Sequence, residues 1–177
     1  PSTGSKYFSP YDNPKMQNGP EGEYLPLRLA QETAAFVEQH KDQPFFAFLS
    51  FYSVHTPLMT TEELELKYLR KRAKMNLTDE FEPEYANQNR TTQAHAVFAG
   101  MVEAMDTAVG MVIESLGKND LLDNTIILFF SDNGGLSTAE GSPTSNLPLR
   151  AGKGWLYEGG IRVPLIISWK DKIPEGK

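Results

Sequence analysis

Six apolar or β-branched residues, Thr125-Ile126-Ile127-Leu128-Phe129-Phe130, run without a charge and stop at Ser131-Asp132-Asn133-Gly134-Gly135. A continuous apolar run of that length suits a strand buried on both faces, as in a parallel sheet between helices. Ligands in open α/β sheets collect at the carboxyl ends of such strands. There an Asp-Asn pair offers two hard oxygen donors, and the glycines let backbone fold back closely behind them. The same residues are also the commonest turn formers, so this segment by itself marks a strand and a turn.

Two further apolar runs share the pattern. Phe45 to Tyr52 reads as a second buried strand, ending at Ser53-Val54-His55-Thr56-Pro57. Ile161 to Trp169 reads as a third, with Pro164 placing it at an edge or a bulge. Between them the helical period is plain. Leu29, Ala30, Phe36 and Val37 share one face of a helix over 25–40, which Lys41-Asp42-Gln43-Pro44 breaks. Glu62 to Met75 is a charged, exposed helix. Ala94, Val97, Phe98, Met101, Val102, Met105, Val109, Val112 and Leu116 form a full apolar stripe, closed by Gly117 at the expected C-terminal position. Residues 1–24 read as an irregular surface segment, 78–90 as a loop, and Glu158-Gly159-Gly160 as the turn into the third strand. Helix, strand, helix, helix, strand is the order of an α/β layered fold.

Composition excludes several function classes. Net charge is −6 and the longest basic block is Arg70-Lys71-Arg72, on a solvated helix face, so nucleic acid is not an expected partner. No cysteine is present, which excludes disulfides and thiolate metal sites. No uninterrupted apolar run has the roughly 18 residues of a membrane span. The 40% hydrophobic content supports a packed core. Asn76-Leu77-Thr78 and Asn89-Arg90-Thr91 are glycosylation sequons, meaningful only in a secreted eukaryotic protein.

Three loops carry chemistry. His55 stands at the end of a predicted strand, where an imidazole can hand a proton to a leaving oxygen or bond an anion. Lys153 lies in Arg150-Ala151-Gly152-Lys153-Gly154-Trp155, with glycine on each side to let a small anion approach; the Walker spacing is absent. Each residue singly has a plain structural explanation, as has each of His40 and His95, the first at a helix C-terminus. Trp155 and Tyr157 are read as packing residues. Together, Asp132, Asn133, Lys153 and His55 are what an enzyme needs to hold a tetrahedral oxyanion with a divalent cation. Oxygen donors favour Ca²⁺ or Mg²⁺ over zinc.

Phe51-Tyr52-Ser53-Val54-His55-Thr56-Pro57, Ser131-Asp132-Asn133-Gly134-Gly135 and the string from Leu149 to Pro164 resemble the formylglycine-dependent sulfatases of the alkaline-phosphatase superfamily. The resemblance runs over nearly the whole chain. It implies a layered α/β/α fold, with residues 1–177 as an incomplete sulfatase catalytic domain. It also implies that Asp132 and Asn133 ligate Ca²⁺, that Lys153 contacts a sulfate oxygen, and that His55 lies beside the scissile ester oxygen. Implied too are a sulfated small molecule or glycan as substrate and a periplasmic, extracellular or lysosomal setting. The family's nucleophile motif, Cys/Ser-x-Pro-x-Arg, is missing: Tyr24 precedes Pro26-x-Arg28 and Asn146 precedes Pro148-x-Arg150. Its Asp-Asp metal pair and Lys-x-His motif are missing as well, and Trp169-Lys170-Asp171 stands for the usual Trp-Pro-Gly. The expectation is a piece of a longer sulfatase, inactive alone, with strand edges and apolar surface left open. A phosphodiesterase or phosphonate hydrolase of the superfamily, or a non-catalytic ligand-binding relative, are the alternatives.

Overall fold

The structure, a computed structural model, describes residues 7–11, 13–174 and 176. Its elements are α1 (Leu25–His40), α2 (Glu62–Lys74), β1 (Phe81–Glu84), β2 (Asn87–Arg90), α3 (Ala96–Lys118), a 3-10 turn (Leu122–Asn124), β3 (Ile127–Phe130), α4 (Glu158–Ile161) and β4 (Leu165–Ser168). The three long helices form where the sequence placed them, α1 and α3 by their apolar period and α2 by its charge. In α2 the dipole is met at both ends, by Glu62, Glu63 and Glu65 in the first turn and by Lys71, Arg72 and Lys74 in the last. Its N-cap Thr61 accepts from the Leu64 amide at 3.4 Å. No residue of α2 is buried, as its charge content predicts.

Helix α3 is the centre of the packing. Gly100, Met101, Ala104, Ala108 and Leu116 are buried on it, and it contacts both α1 and α2. Gly100 permits a close approach, since a Cβ there would stand 2.7 Å from Thr60 Oγ1. By length and mean hydropathy of 1.6, α3 is long and apolar enough to cross a membrane, although polar residues interrupt its apolar runs. It packs against α1 and α2, while Val102 and Ile113 on it remain exposed. Gly117 lies inside α3 rather than beyond it. The left-handed residue after the helix is Asp120, with φ 57°. Asx side chains tolerate that conformation better than most.

The N-terminal segment departs from the surface reading. Tyr7, Tyr11 and Tyr24 are buried, and Phe8 stacks on Tyr24 with centroids 4.7 Å apart. Tyr7 and Tyr24 join Met101 and Ala104 in one core cluster, against which Val54, Leu58 and Met59 also pack. Polar and glycine content marked this stretch as loop correctly. Its aromatic rings are what tie it down, at about 0.5–1.5 kcal/mol per favourable ring pair beyond burial.

The strands differ most from expectation. Phe45 to Tyr52 forms no strand among the described residues, so His55 follows irregular chain rather than a strand end, and Phe46 and Phe48 are 85% and 73% exposed. β3 pairs antiparallel with β4, Ile127 opposite Ser168 and Phe130 opposite Leu165, and its side chains alternate between half-buried and exposed. It is thus neither parallel nor buried on both faces here. β4 begins just after Pro164, as proline at a strand start allows, while Ile161 belongs to the one-turn α4. The predicted loop at 78–90 contains a hairpin, Phe81 paired with Arg90 and Glu84 with Asn87. Its Asn89 is 2% exposed, so the second sequon is closed to glycosylation in the folded chain. A groove of about 1030 Å³ runs between α3 and the β3–β4 ribbon, lined by Val102, Met105, Val109, Ile127, Phe129 and Trp169 among others.

Candidate active site

β3 delivers the chain to Ser131-Asp132-Asn133 in the order its sequence suggested. Ser131 Oγ donates to the Asn133 carbonyl at 2.8 Å, closing a tight turn that leaves Asp132 exposed. From there the backbone runs against the 150–160 segment. The Gly134 amide donates to Gly160 O at 2.9 Å, and the Lys153 amide donates to Gly135 O at 3.1 Å. Two glycines make this possible. A Cβ on Gly134 would stand 1.7 Å from Gly159 O, and one on Gly152 would stand 2.1 Å from Gly135 O. Backbone cannot yield at those distances, so the seam between the loops admits only glycine at both positions.

Asn146 closes the seam from the side. Its Nδ2 donates to Gly135 O and to Ala151 O, both at 2.8 Å, and its Oδ1 accepts from the Gly135 amide at 3.0 Å. One side chain thereby satisfies backbone groups of both loops. In the sequence Asn146 stands out only as a mismatch to the nucleophile motif. Its signal, an amide residue set among Ser, Pro and Gly in a long irregular loop, is too common to single it out. That loop, 134–157, is irregular yet not superficial: Ser137, Thr138, Ser142, Thr144 and Ser145 are buried. Gln93 holds it, donating from Nε2 to Ser145 O at 2.6 Å and accepting from Thr144 Oγ1 at 2.9 Å. Arg90, 4% exposed, donates to Ser142 O and pairs with Asp79.

His55 comes from a third loop. Its Nδ1 lies 2.8 Å from the Thr56 carbonyl. A carbonyl only accepts, so Nδ1 carries a proton and Nε2 is the ring nitrogen left for proton exchange. The Tyr52 ring leans on the imidazole at 5.4 Å between centroids. Beneath it, Tyr7 Oη is within hydrogen-bond reach of Tyr52 O at 3.0 Å and His55 O at 2.8 Å. Burial pushes the Tyr7 phenol well above the ordinary tyrosine range, so it acts as a neutral donor. The loop meets the 134–157 segment through Thr56 Oγ1, which donates to Glu140 Oε2 at 2.6 Å.

The structure thus sews the backbone following Asp132 and Asn133 to that of Lys153, and reaches His55 through the separate Thr56–Glu140 contact. None of the four side chains lines the groove beside α3, which gathers apolar faces rather than convergent polar groups. Asp132 and Lys153 each lack an ion-pair partner among the described residues. Arg150, by contrast, is held by Glu84, whose carboxyl it keeps below the usual range. The donor set at the end of β3 suits a hard cation. Asn133 Nδ2 donates to Gly134 O at 3.0 Å, which leaves its Oδ1 as the oxygen for a ligand, one residue along the chain from a carboxylate. Two oxygen ligands are half a site, and no cluster of three or more His, Cys, Asp or Glu able to hold a metal occurs among the described residues.

Comparison with known proteins sets these loops in context. A family model described as Sulfatase matches residues 2–177. The chain is 34% identical over 187 residues to a sulfatase of Formosa agariphila, covering 92% of this chain and 30% of that protein. It is likewise 34% identical to the steryl-sulfatase of Rattus norvegicus, covering 86% of this chain and 23% of that one. The chain therefore spans about a third or less of the curated relatives it matches. Among solved structures, that of Ps i-CgsB superposes with a TM-score of 0.72 at 33% identity, over 94% of this chain and 33% of the other. Its complex with k-i-k-neocarrahexaose gives 0.71 over 92% of this chain. The mixed α/β architecture is thus part of an alkaline-phosphatase-like sulfatase domain.

Proposed function

The chain belongs to the sulfatase family, and from that premise we propose that the whole protein hydrolyses sulfate esters of carbohydrates, with residues 1–177 forming part of its catalytic domain. Family membership suggests a metal and a formylglycine. In this reading Asp132 and Asn133 hold a Ca²⁺ ion through their side-chain oxygens. When present, the cation offsets the charge of the bound sulfate and the formylglycine supplies the nucleophile. Lys153 grips a sulfate oxygen, its ammonium available because no carboxylate claims it among the described residues. His55 stands at the ester oxygen, its Nδ1–H bond to Thr56 O directing Nε2 to hold or deliver the leaving group's proton.

The observation that carries the proposal is the hydrogen bond from the Lys153 amide to Gly135 O, two residues beyond Asn133. It brings the one candidate cation to the loop of the candidate metal ligands, a juxtaposition an anion site needs. The carbohydrate class is supported by the solved neighbour described in complex with k-i-k-neocarrahexaose. The test is to express the full protein with a formylglycine-generating enzyme and assay matched sulfate and phosphate esters. Lys153→Ala and Asp132→Ala should each lower kcat/KM on the sulfate ester by about 100-fold or more, the scale of losing a charge-stabilising contact. Unaltered activity in both variants would remove these roles. Faster turnover of the phosphate ester would move the protein to phosphodiester or phosphonate chemistry.

A further inference from the structure

Beside Lys153 lies an aromatic group that the roles above do not use. Tyr85 sits at the tip of the β1–β2 hairpin, 74% exposed, with φ 51°. A bulky residue in the left-handed region costs about 1 kcal/mol or more, and turns normally avoid it with Gly, Asn or Asp. Its ring stacks on Trp155 with centroids 5.8 Å apart and planes at 13°, and Trp155 stacks on Tyr157 at 6.0 Å and 17°. The two tyrosine hydroxyls are 3.2 Å apart.

Three neighbours immobilise the group. Trp155 Nε1 donates to Thr138 Oγ1 at 2.8 Å. The Arg150 guanidinium lies 4.0 Å from the Tyr157 centroid and 5.6 Å from that of Tyr85. Glu84 in turn fixes Arg150 through contacts of 2.7 and 3.1 Å. That pairing spends the arginine's charge, so the cluster is not a second anion site. What it offers outward is a rigid, weakly polar aromatic surface.

We propose that Tyr85 and Trp155 form a stacking platform for the pyranose ring next to the sulfated sugar, and so select oligosaccharides over simple aryl sulfates. The inference rests on the carbohydrate-sulfatase reading. A pyranose presents a patch of C–H groups on one face, which packs on an aromatic ring while its hydroxyls stay in water. Position supports this occupant. Trp155 closes a turn through its amide to Gly152 O at 3.0 Å, and Lys153 lies inside that turn. Two residues span at most about 7 Å, the scale of one step along a glycan. The backbone turn that carries Lys153 thus also carries Trp155, within that span from Cα to Cα. Packing of the hairpin on the loop explains the stack itself, but not why its outermost member is a tyrosine left largely in solvent.

The test uses the full-length protein and a sulfated carrageenan hexasaccharide as probe. Tyr85→Ala should lower the ratio of kcat/KM on the hexasaccharide to kcat/KM on 4-nitrophenyl sulfate by about tenfold, as a stacking contact near 1.4 kcal/mol would give. Tyr85→Phe, which keeps the ring, should retain most of that ratio. Calorimetric titration of protein with the nucleophile left unmatured should show the hexasaccharide binding about tenfold more weakly to Tyr85→Ala. An unchanged ratio and unchanged binding overturn the platform. So does an equal loss on both substrates accompanied by a lower Tm, the mark of a purely structural role. Absence of turnover on every sulfate ester would sink the sulfatase reading, and the titration would still decide the platform.

Discussion

The phenolic oxygen of Tyr7 lies 2.8 Å from the carbonyl oxygen of His55 and 3.0 Å from that of Tyr52, forty-five or more residues along the chain. One buried hydroxyl thus holds both ends of the turn that presents the candidate imidazole. Tyr24 does the same further on, donating to Met59 O at 2.8 Å. The N-terminal segment is in this sense the floor of the His55 loop.

Tyr7→Phe keeps the ring and removes only the donor, taking it from the His55 carbonyl, while Tyr52 O keeps the His55 amide at 3.0 Å. The expected cost is about 1–3 kcal/mol, read by denaturant unfolding. In the full protein the same change should lower kcat more than it raises KM, because the imidazole loses its fixed orientation rather than the sulfate its anchor. A variant as stable and active as wild type would show that the hydroxyl does not hold this loop.

The seam between the Asp132 and Lys153 loops makes a contrasting pair of glycines predictable. Gly152→Ala would place a methyl 2.1 Å from Gly135 O, 2.6 Å from Asn146 Nδ2 and 2.7 Å from Ser137 Oγ. Overpacking against backbone should cost about 1–3 kcal/mol and separate the loops. Gly110→Ala, inside α3 with nothing within 4 Å of the added carbon, should instead stabilise by about 0.5–1 kcal/mol. Thermal unfolding of the two variants against wild type checks both signs at once.

His95 gives the fold a pH dependence separate from chemistry. It is the N-cap of α3, its Nδ1 accepting from the Phe98 amide at 3.3 Å, which only the neutral imidazole can do through that nitrogen. Burial, and then the charge of Arg90, hold its pKa below the ordinary 6.5, with Asp79 opposing and Arg72 assisting. A depressed folded-state pKa means the unfolded chain binds the proton more tightly. The contribution is therefore complete above about pH 6.5 and is lost as pH falls through the lower folded value. His95→Asn, which caps without titrating in this range, should flatten the Tm profile between pH 8 and 5. A profile as steep as wild type would place the dependence elsewhere.

The candidate site was more legible in the chain than its scaffold. Asp132-Asn133 after an apolar run and Lys153 between glycines could be named as candidates because a strand end and a glycine-rich turn are written locally, whereas His55 was read at the end of a strand that the structure does not form. Asn146 could not, since what it does is satisfy two loops that come together only in three dimensions. Tyr85 could not either, being read as part of a polar loop, and Trp155 was set aside as packing for want of any view of what it stacks against.

The helices α1, α2 and α3 were settled by sequence alone, because each hydrogen bond of a helix closes within four residues and an apolar stripe reports which side faces inward. A strand has no such self-sufficiency: its donors and acceptors point sideways to a partner that can come from anywhere in the chain. Hence Phe45 to Tyr52, as apolar as any strand, joins neither ribbon among the described residues, while the polar 81–90 stretch forms a hairpin and β3 takes β4 antiparallel. Residue types fixed which chemistry was available. Tertiary structure decided which backbones meet, because contact between distant loops depends on satisfying buried polar groups together, and no local pattern records that.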